Sequence, residues 1–314
     1  MGEKRARMGA IYAAPAMRRK FMKKLVCALA IAGAAAFAFA AGCATGRSTL
    51  LCAPEQPAAF KYTESTSDGF VALKEAAESF ADGFTARAIA ADNGADNFVV
   101  SPISMYSALA MAAECAAGST REELLGALGA DYELLSSEFL NLYRSVLLDG
   151  KHSTATLSNS VWLAEGAPIL QEGVNSLAQS YGAYSYSADF AGDNEQANLA
   201  VRHFVKKHTN GLIDSDFKLD EDTYFALINA LYLKDIWNMY GDELALTEES
   251  YAFENGDGSV TDMQLMKGKY IAVRPYEGEN FTSCYTRTNA GFEIMFILPD
   301  EGYSVSEVMT AENI

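Results

Sequence analysis

From Asp68 to about Asp92 apolar residues recur at helical spacing, through Val71, Leu73, Ala77, Phe80, Phe84 and Ile89, and predict an amphipathic helix. After a turn over residues 93–96, Asn97 to Val100 reads as a short apolar strand that Ser101 and Pro102 cut off. A hydroxyl can cap a helix start, and proline at the first helical position loses no donor that the helix needs. The almost wholly apolar stretch that follows is therefore a helix, with Gly118 ending it and Thr120 and Glu123 forming a capping box for the next. Helical spacing returns at 133–148, 171–181 and 195–209, the last stopping at Asn210 and Gly211, and 156–164 reads as a strand.

The pattern changes at Tyr224 to Leu233 (YFALINALYL), which is apolar on both faces, as a central strand covered on both sides should be. Strand-like runs then dominate, at 251–253, 263–266, 270–276, 281–287 and 292–298. Helices first and strands later predict an α+β domain from Asp68 onward. Residues 44–67 are small and polar, with Pro54 and Pro57, and are expected to be a flexible tether lifting that domain off a membrane.

Two polar positions interrupt this apolar plan. Ser104 lies one turn beyond Ser101 on roughly the same face of the apolar helix, and Asn229 sits inside YFALINALYL. An unpaired buried hydroxyl costs about 1 to 3 kcal/mol, so Ser104 should have a partner. A bond to the carbonyl four residues back would supply one locally. Hydroxyls and an amide in one core suggest instead a polar network that holds neighbouring strands and can be re-formed.

The formal charge is −17, but residues 1–43 carry eight of the 24 basic residues and one acid, leaving 16 basic against 40 acidic residues, net −24. Such a surface repels nucleic acid and anionic headgroups, and a solubility charge accounts for it. The N-terminus reads as an export signal, because Arg18, Arg19, Lys20, Lys23 and Lys24 precede an Ala-rich apolar run from Leu25 to Gly42. Met22, followed by two lysines, makes a better start for that signal, which would leave residues 1–21 untranslated. Ala40, Ala41, Gly42 and Cys43 resemble a bacterial lipobox, in which Cys43 would be acylated; Ala36 to Ala38 and Ala38 to Ala40 each satisfy ordinary signal cleavage, and an uncleaved anchor is a third route. The body would then be an anchored lipoprotein at the cell surface or in the periplasm, or secreted, touching the membrane only through its N-terminal lipid.

Cys52, Cys115 and Cys284 then remain, too scattered for a disulfide framework or a metal site. No GxSxG, HExxH or CxxC occurs, and His203 and His208, five apart on a helix, point to different faces. No enzymatic role, cofactor or metal is expected.

At this point the sequence resembles the serpins, a family of serine-protease inhibitors that work by a large conformational change. NFVVSPIS (97–104) is similar to the family's AsnxxxSerProxSer, with Gly118, Thr120 and Leu124 following at its usual spacing; NSVWL (159–163) and TNGLI (209–213) resemble two further segments. The most specific match is NALYLKDIW (229–237), where the family has an Asn, an aromatic, a Lys and a Trp in the same places; Asp235 departs from the usual glycine. The resemblance implies a large main sheet with a second sheet. It also implies that Ser101, Ser104 and Asn229 belong to the shutter under the main sheet, and Lys234 and Trp237 to the breach at its top. The expected partner is a serine or cysteine protease that cleaves an exposed reactive loop, which then inserts as a new strand. FILP (296–299) and TAENI (310–314) resemble a segment that begins a helix upstream of that loop, so a truncated, incomplete domain lacking the reactive bond is expected, prone to aggregation or strand swapping. A non-inhibitory, lipid-anchored binding or structural protein with the same fold is the alternative.

Overall fold

A computed structural model describes residues 27–31, 46–55, 57–59, 67–92, 99–237, 245–255, 258–267, 274–310 and 312–313. In chain order the elements are β1 (Cys27–Ile31), β2 (Thr49–Cys52), α1 (Asp68–Asp92), α2 (Pro102–Cys115), α3 (Gly118–Leu128), α4 (Tyr132–Val146), β3 (Leu148–Asp149), β4 (Thr154–Ala164), α5 (Gln171–Tyr181), β5 (Ala183–Ala188) and α6 (Asn194–His208). Then follow β6 (Phe225–Lys234), β7 (Ala245–Glu254), β8 (Val260–Lys267), β9 (Arg274–Glu277), β10 (Phe281–Arg287), β11 (Glu293–Pro299) and α7 (Val305–Val308). One compact unit holds the described residues up to Phe80 with Ile103–Lys234; the other holds Ala81–Pro102 with those from Asp235 on.

The first unit is built on a six-stranded mixed sheet in the order β1-β6-β4-β5-β2, with β3 against the start of β4. Strands β4 and β6 are antiparallel over ten pairs, from Thr154 opposite Lys234 to Leu163 opposite Phe225, while β4 and β5 are parallel. Alternation along the strands sends side chains to two different layers. Leu157, Val161 and Leu227 face a core with Tyr106, Ala110 and Met111 of α2, Leu135 and Phe139 of α4, and Leu177 and Tyr181 of α5. Trp162, Ala226 and Ile228 face the other way, onto Val201, Phe204 and Val205 of α6 and onto Leu219. YFALINALYL is thus covered on both faces, as its continuous apolarity predicts.

The second unit has a three-stranded antiparallel sheet, β11-β10-β9, and a β7-β8 hairpin. Ile89, Phe281, Ile297, Val308 and Met309 form its core. Ser304 and Glu307 close a capping box at the start of α7.

Several expectations change. The stretch expected to be a flexible tether contains β2, an edge strand antiparallel to β5, because its Leu50 to Cys52 backbone finds ladder partners in Tyr186 and Ser185. Val99 and Val100 form no strand, and Asn97 lies outside the described residues. Pro102 does open α2, but the helix already ends at Cys115, and Gly118, at φ +60°, starts α3. Thr120 is therefore inside the first turn of α3 and cannot cap it, and no side-chain cap forms there. Asn210 and Gly211 do adopt left-handed φ values, 44° and 79°, and Gly211 N–H closes back on the Lys206 carbonyl at 2.9 Å. Strand β5 was not apparent in the sequence pattern.

Candidate functional site

The polar residues of the main sheet divide between its two faces. On the face covered by α2, α4 and α5, Asn159 of β4 stands directly opposite Asn229 of β6. Asn229 Nδ2 donates to Asn159 Oδ1 at 2.5 Å, and Asn159 Nδ2 donates to the Tyr181 carbonyl at 2.8 Å, at the end of α5. Both asparagines are buried, and Asn229 Oδ1 has no partner among the described residues. A buried amide oxygen without a donor is costly, so this corner of the sheet is incompletely satisfied.

Ser104 is fully buried in α2, the helix that lends Tyr106, Ala110 and Met111 to the core on this same face. In the same helix Ser107 Oγ donates to the Ile103 carbonyl, four residues back, at 2.7 Å. Ser101 is buried just ahead of Pro102, in the second compact unit. Two tyrosines frame the pair. Tyr143 of α4 donates its hydroxyl to the Leu157 carbonyl, and burial raises both it and Tyr181, so each stays a neutral donor. Tyr181 OH in turn reaches Glu114 of α2 at 3.2 Å.

The opposite face of β4 carries a second polar row. Ser158 Oγ lies 2.9 Å from His208 Nδ1, and Trp162 Nε1 donates to Ser160 Oγ at 3.0 Å. His208, in the last turn of α6, packs at 4.2 Å from the Phe204 ring and 5.5 Å from Tyr184. Burial, with Lys207 and His203 adding to it, pushes its pKa down to about 4, so the ring is neutral at pH 7. His203 is exposed, so the two histidines do not share a face.

Lys234 ends β6, with its backbone paired to Thr154. Trp237 is half-buried and bridges Thr288 in the second unit. Asp235, the departure from glycine, accepts from Ile236 N–H at 2.8 Å through Oδ1 and from Ala290 N–H at 2.9 Å through Oδ2. It thereby fastens the 288–292 turn. Cys43 lies outside the described residues. Among the described residues no group of His, Cys, Asp or Glu could hold a metal ion, and no helix is long and apolar enough to cross a membrane.

The serpin family model (serine protease inhibitor) matches residues 75–314. The chain belongs to the serpin family. Iripin-3 of Ixodes ricinus is 28% identical over 230 residues, covering 67% of this chain and 55% of that protein. Serpin-ZX of Arabidopsis thaliana is 26% identical over 221 residues, covering 67% and 56%. The native-state crystal structure of the thermophilic serpin tengpin superposes with a TM-score of 0.69 at 22% identity, covering 85% of this chain and 67% of that one. The α+β serpin fold is therefore established, with this chain spanning little more than half the length of those two curated relatives. Asn159 is the functional candidate that sequence reasoning passed over. Its signal was available: an asparagine on the strand face that carries Leu157 and Val161, at the position that antiparallel pairing sets against Asn229.

Proposed function

We propose that this serpin is an inhibitor of serine or cysteine proteases that works by cleavage of a reactive loop and insertion of that loop as a strand in the main sheet. The observation that carries the reading is the unequal hold on β6. On its β4 side it has ten ladder pairs and the Asn159–Asn229 bond; on its other side it has only the five-residue parallel ladder to β1, whose residues Cys27–Ile31 belong to the export leader and leave with it. A sheet that admits a strand needs one seam that stays shut and one that opens.

In this reading Asn229, Ser104 and Ser101 are shutter residues, joined by Asn159, and Lys234 and Trp237 belong to the breach. In this reading the reactive loop follows the segment that 296–314 resemble, and residues 1–314 by themselves are expected to trap no protease. The leader is removed and Cys43 is acylated, which makes the protein an exported, membrane-anchored lipoprotein.

Incubation with a trypsin-like serine protease and a papain-like cysteine protease tests the inhibitor reading, using both residues 1–314 and the longest chain that the gene encodes. An SDS-resistant complex with the longest chain and none with residues 1–314 is the expected result. Turnover of the longest chain without any complex overturns the reading in favour of a non-inhibitory surface binding protein.

A further inference from the structure

The described residues between Cys43 and the start of α1 do not hang free. Gly46, at φ +71°, lies so close to α6 that a Cβ there would be 2.1 Å from Ala200 N and 2.5 Å from the Gln196 carbonyl oxygen. Only glycine fits that position. One residue on, Arg47 N–H donates to the Gln196 carbonyl at 3.1 Å, and its guanidinium stands 3.6 Å from Asp193, an exposed pair that adds little. The chain then pairs with β5, Thr49 opposite Ser187 and Cys52 opposite Ser185, and buries Pro54. Farther along, Arg144 Nε of α4 donates to the Ala58 carbonyl at 2.9 Å. Ser67 fixes the far end, accepting Phe70 N–H at 2.9 Å and donating to Glu138 at 2.7 Å.

We propose that residues 46–58 are a strap that mounts the main-sheet unit directly on the lipid bilayer, with the start of α6 and the neighbouring end of β5 nearest the headgroups. The proposal rests on acylation of Cys43. Only Ala44 and Thr45 separate Cys43 from Gly46, and these three Cα–Cα steps span at most about 11 Å in an extended chain. A free tether over 44–67 would instead allow a root-mean-square reach of about 27 Å. The mount therefore gives the unit a fixed face toward the membrane. Because β4 runs about 30 Å from Thr154 to Leu163, and Leu163 stands opposite the same Ser187 that Thr49 meets, the β3–β4 turn at Lys151 points away from the bilayer.

The acylated chain in phosphatidylcholine vesicles tests this, with a genetically encoded fluorophore at Glu195 or at Lys151 and a nitroxide on the lipid headgroups. The expected result is quenching several-fold stronger at Glu195 than at Lys151. Insertion of about twenty Gly/Ser residues between Ala44 and Thr45, on the reach of such a linker, should abolish that difference while leaving the amides of 49–52 protected from hydrogen exchange. Gly46→Asp should abolish both the difference and the protection. Equal quenching at the two sites, with acyl mass present on Cys43, overturns the mount and leaves the lipoprotein reading standing. Absence of acyl mass on Cys43 overturns both.

Discussion

Asn159 and Asn229 face each other across the β4–β6 ladder and are joined by a side-chain hydrogen bond, Asn229 Nδ2 to Asn159 Oδ1, inside an apolar core. The bond is directional. Asn159 is the hub, since its amide nitrogen also holds the Tyr181 carbonyl, whereas Asn229 leaves its own oxygen unpaired.

Truncation at the hub should therefore cost more than truncation at its partner. Asn159→Ala strands the Asn229 amide and the Tyr181 carbonyl, and is expected to lower stability by about 2 to 6 kcal/mol, at about 1 to 3 for each orphaned group. Asn229→Ala orphans one oxygen and removes another that was already unpaired, so about 1 to 2 kcal/mol is expected. Urea midpoints for the two variants give the order, and a double-mutant cycle should return a coupling of about 1 kcal/mol. Equal costs with no coupling would show that the pair is not a unit.

The His208–Ser158 contact makes stability depend on pH. The folded pKa of His208, about 4, lies below its ordinary 6.5, so the neutral ring is the form that folding favours. Its contribution is fully present above about pH 6.5 and is lost progressively as the pH falls toward 4. On that shift the native state is weaker by about 2 kcal/mol at pH 5 than at pH 7. His208→Phe should flatten the profile over this window, as read from urea midpoints at pH 7, 6 and 5. An unchanged slope in the variant would assign the pH dependence to other groups.

Asp235 is expected to act as a local fastener of its turn. Asp235→Ala removes the acceptor for Ala290 N–H at a partly exposed site, so a loss of about 0.5 to 1.5 kcal/mol is predicted. Amide exchange at Ala290 should quicken while Asn229 is unaffected. Equal quickening at both would mean that Asp235 supports more than the turn.

The parts of this fold that the sequence displayed are those where one period ruled. Leu73, Ala77 and Phe80 announced α1, and the two-sided apolarity of YFALINALYL announced β6 as a strand covered on both faces. Strand β5 was hidden because Ala183 to Ala188 reads AYSYSA, in which Ser185 is buried with no hydrogen-bond partner for its hydroxyl and the tyrosines stack beside Trp162 and Phe204. Strand β2 was hidden because its partners lie more than a hundred residues away, and small polar residues flanked by prolines resemble a loop. Thr120 and Glu123 had the right spacing for a capping box but the wrong frame, since Gly118 had already begun the helix. Asn229 stood out by itself; its dependence on Asn159 could be read only from the register of two strands seventy residues apart.

Strand insertion requires that β6 be held shut on its β4 side and open on the other. Residue-resolved hydrogen exchange along Phe225–Lys234 tests it most directly, because successive strand amides point to opposite neighbours. The amides bonded to β4 should exchange only through global unfolding, and those directed to the far side should exchange orders of magnitude faster. Equal rates on the two sides, or earlier release of the β4 side, would contradict the claim.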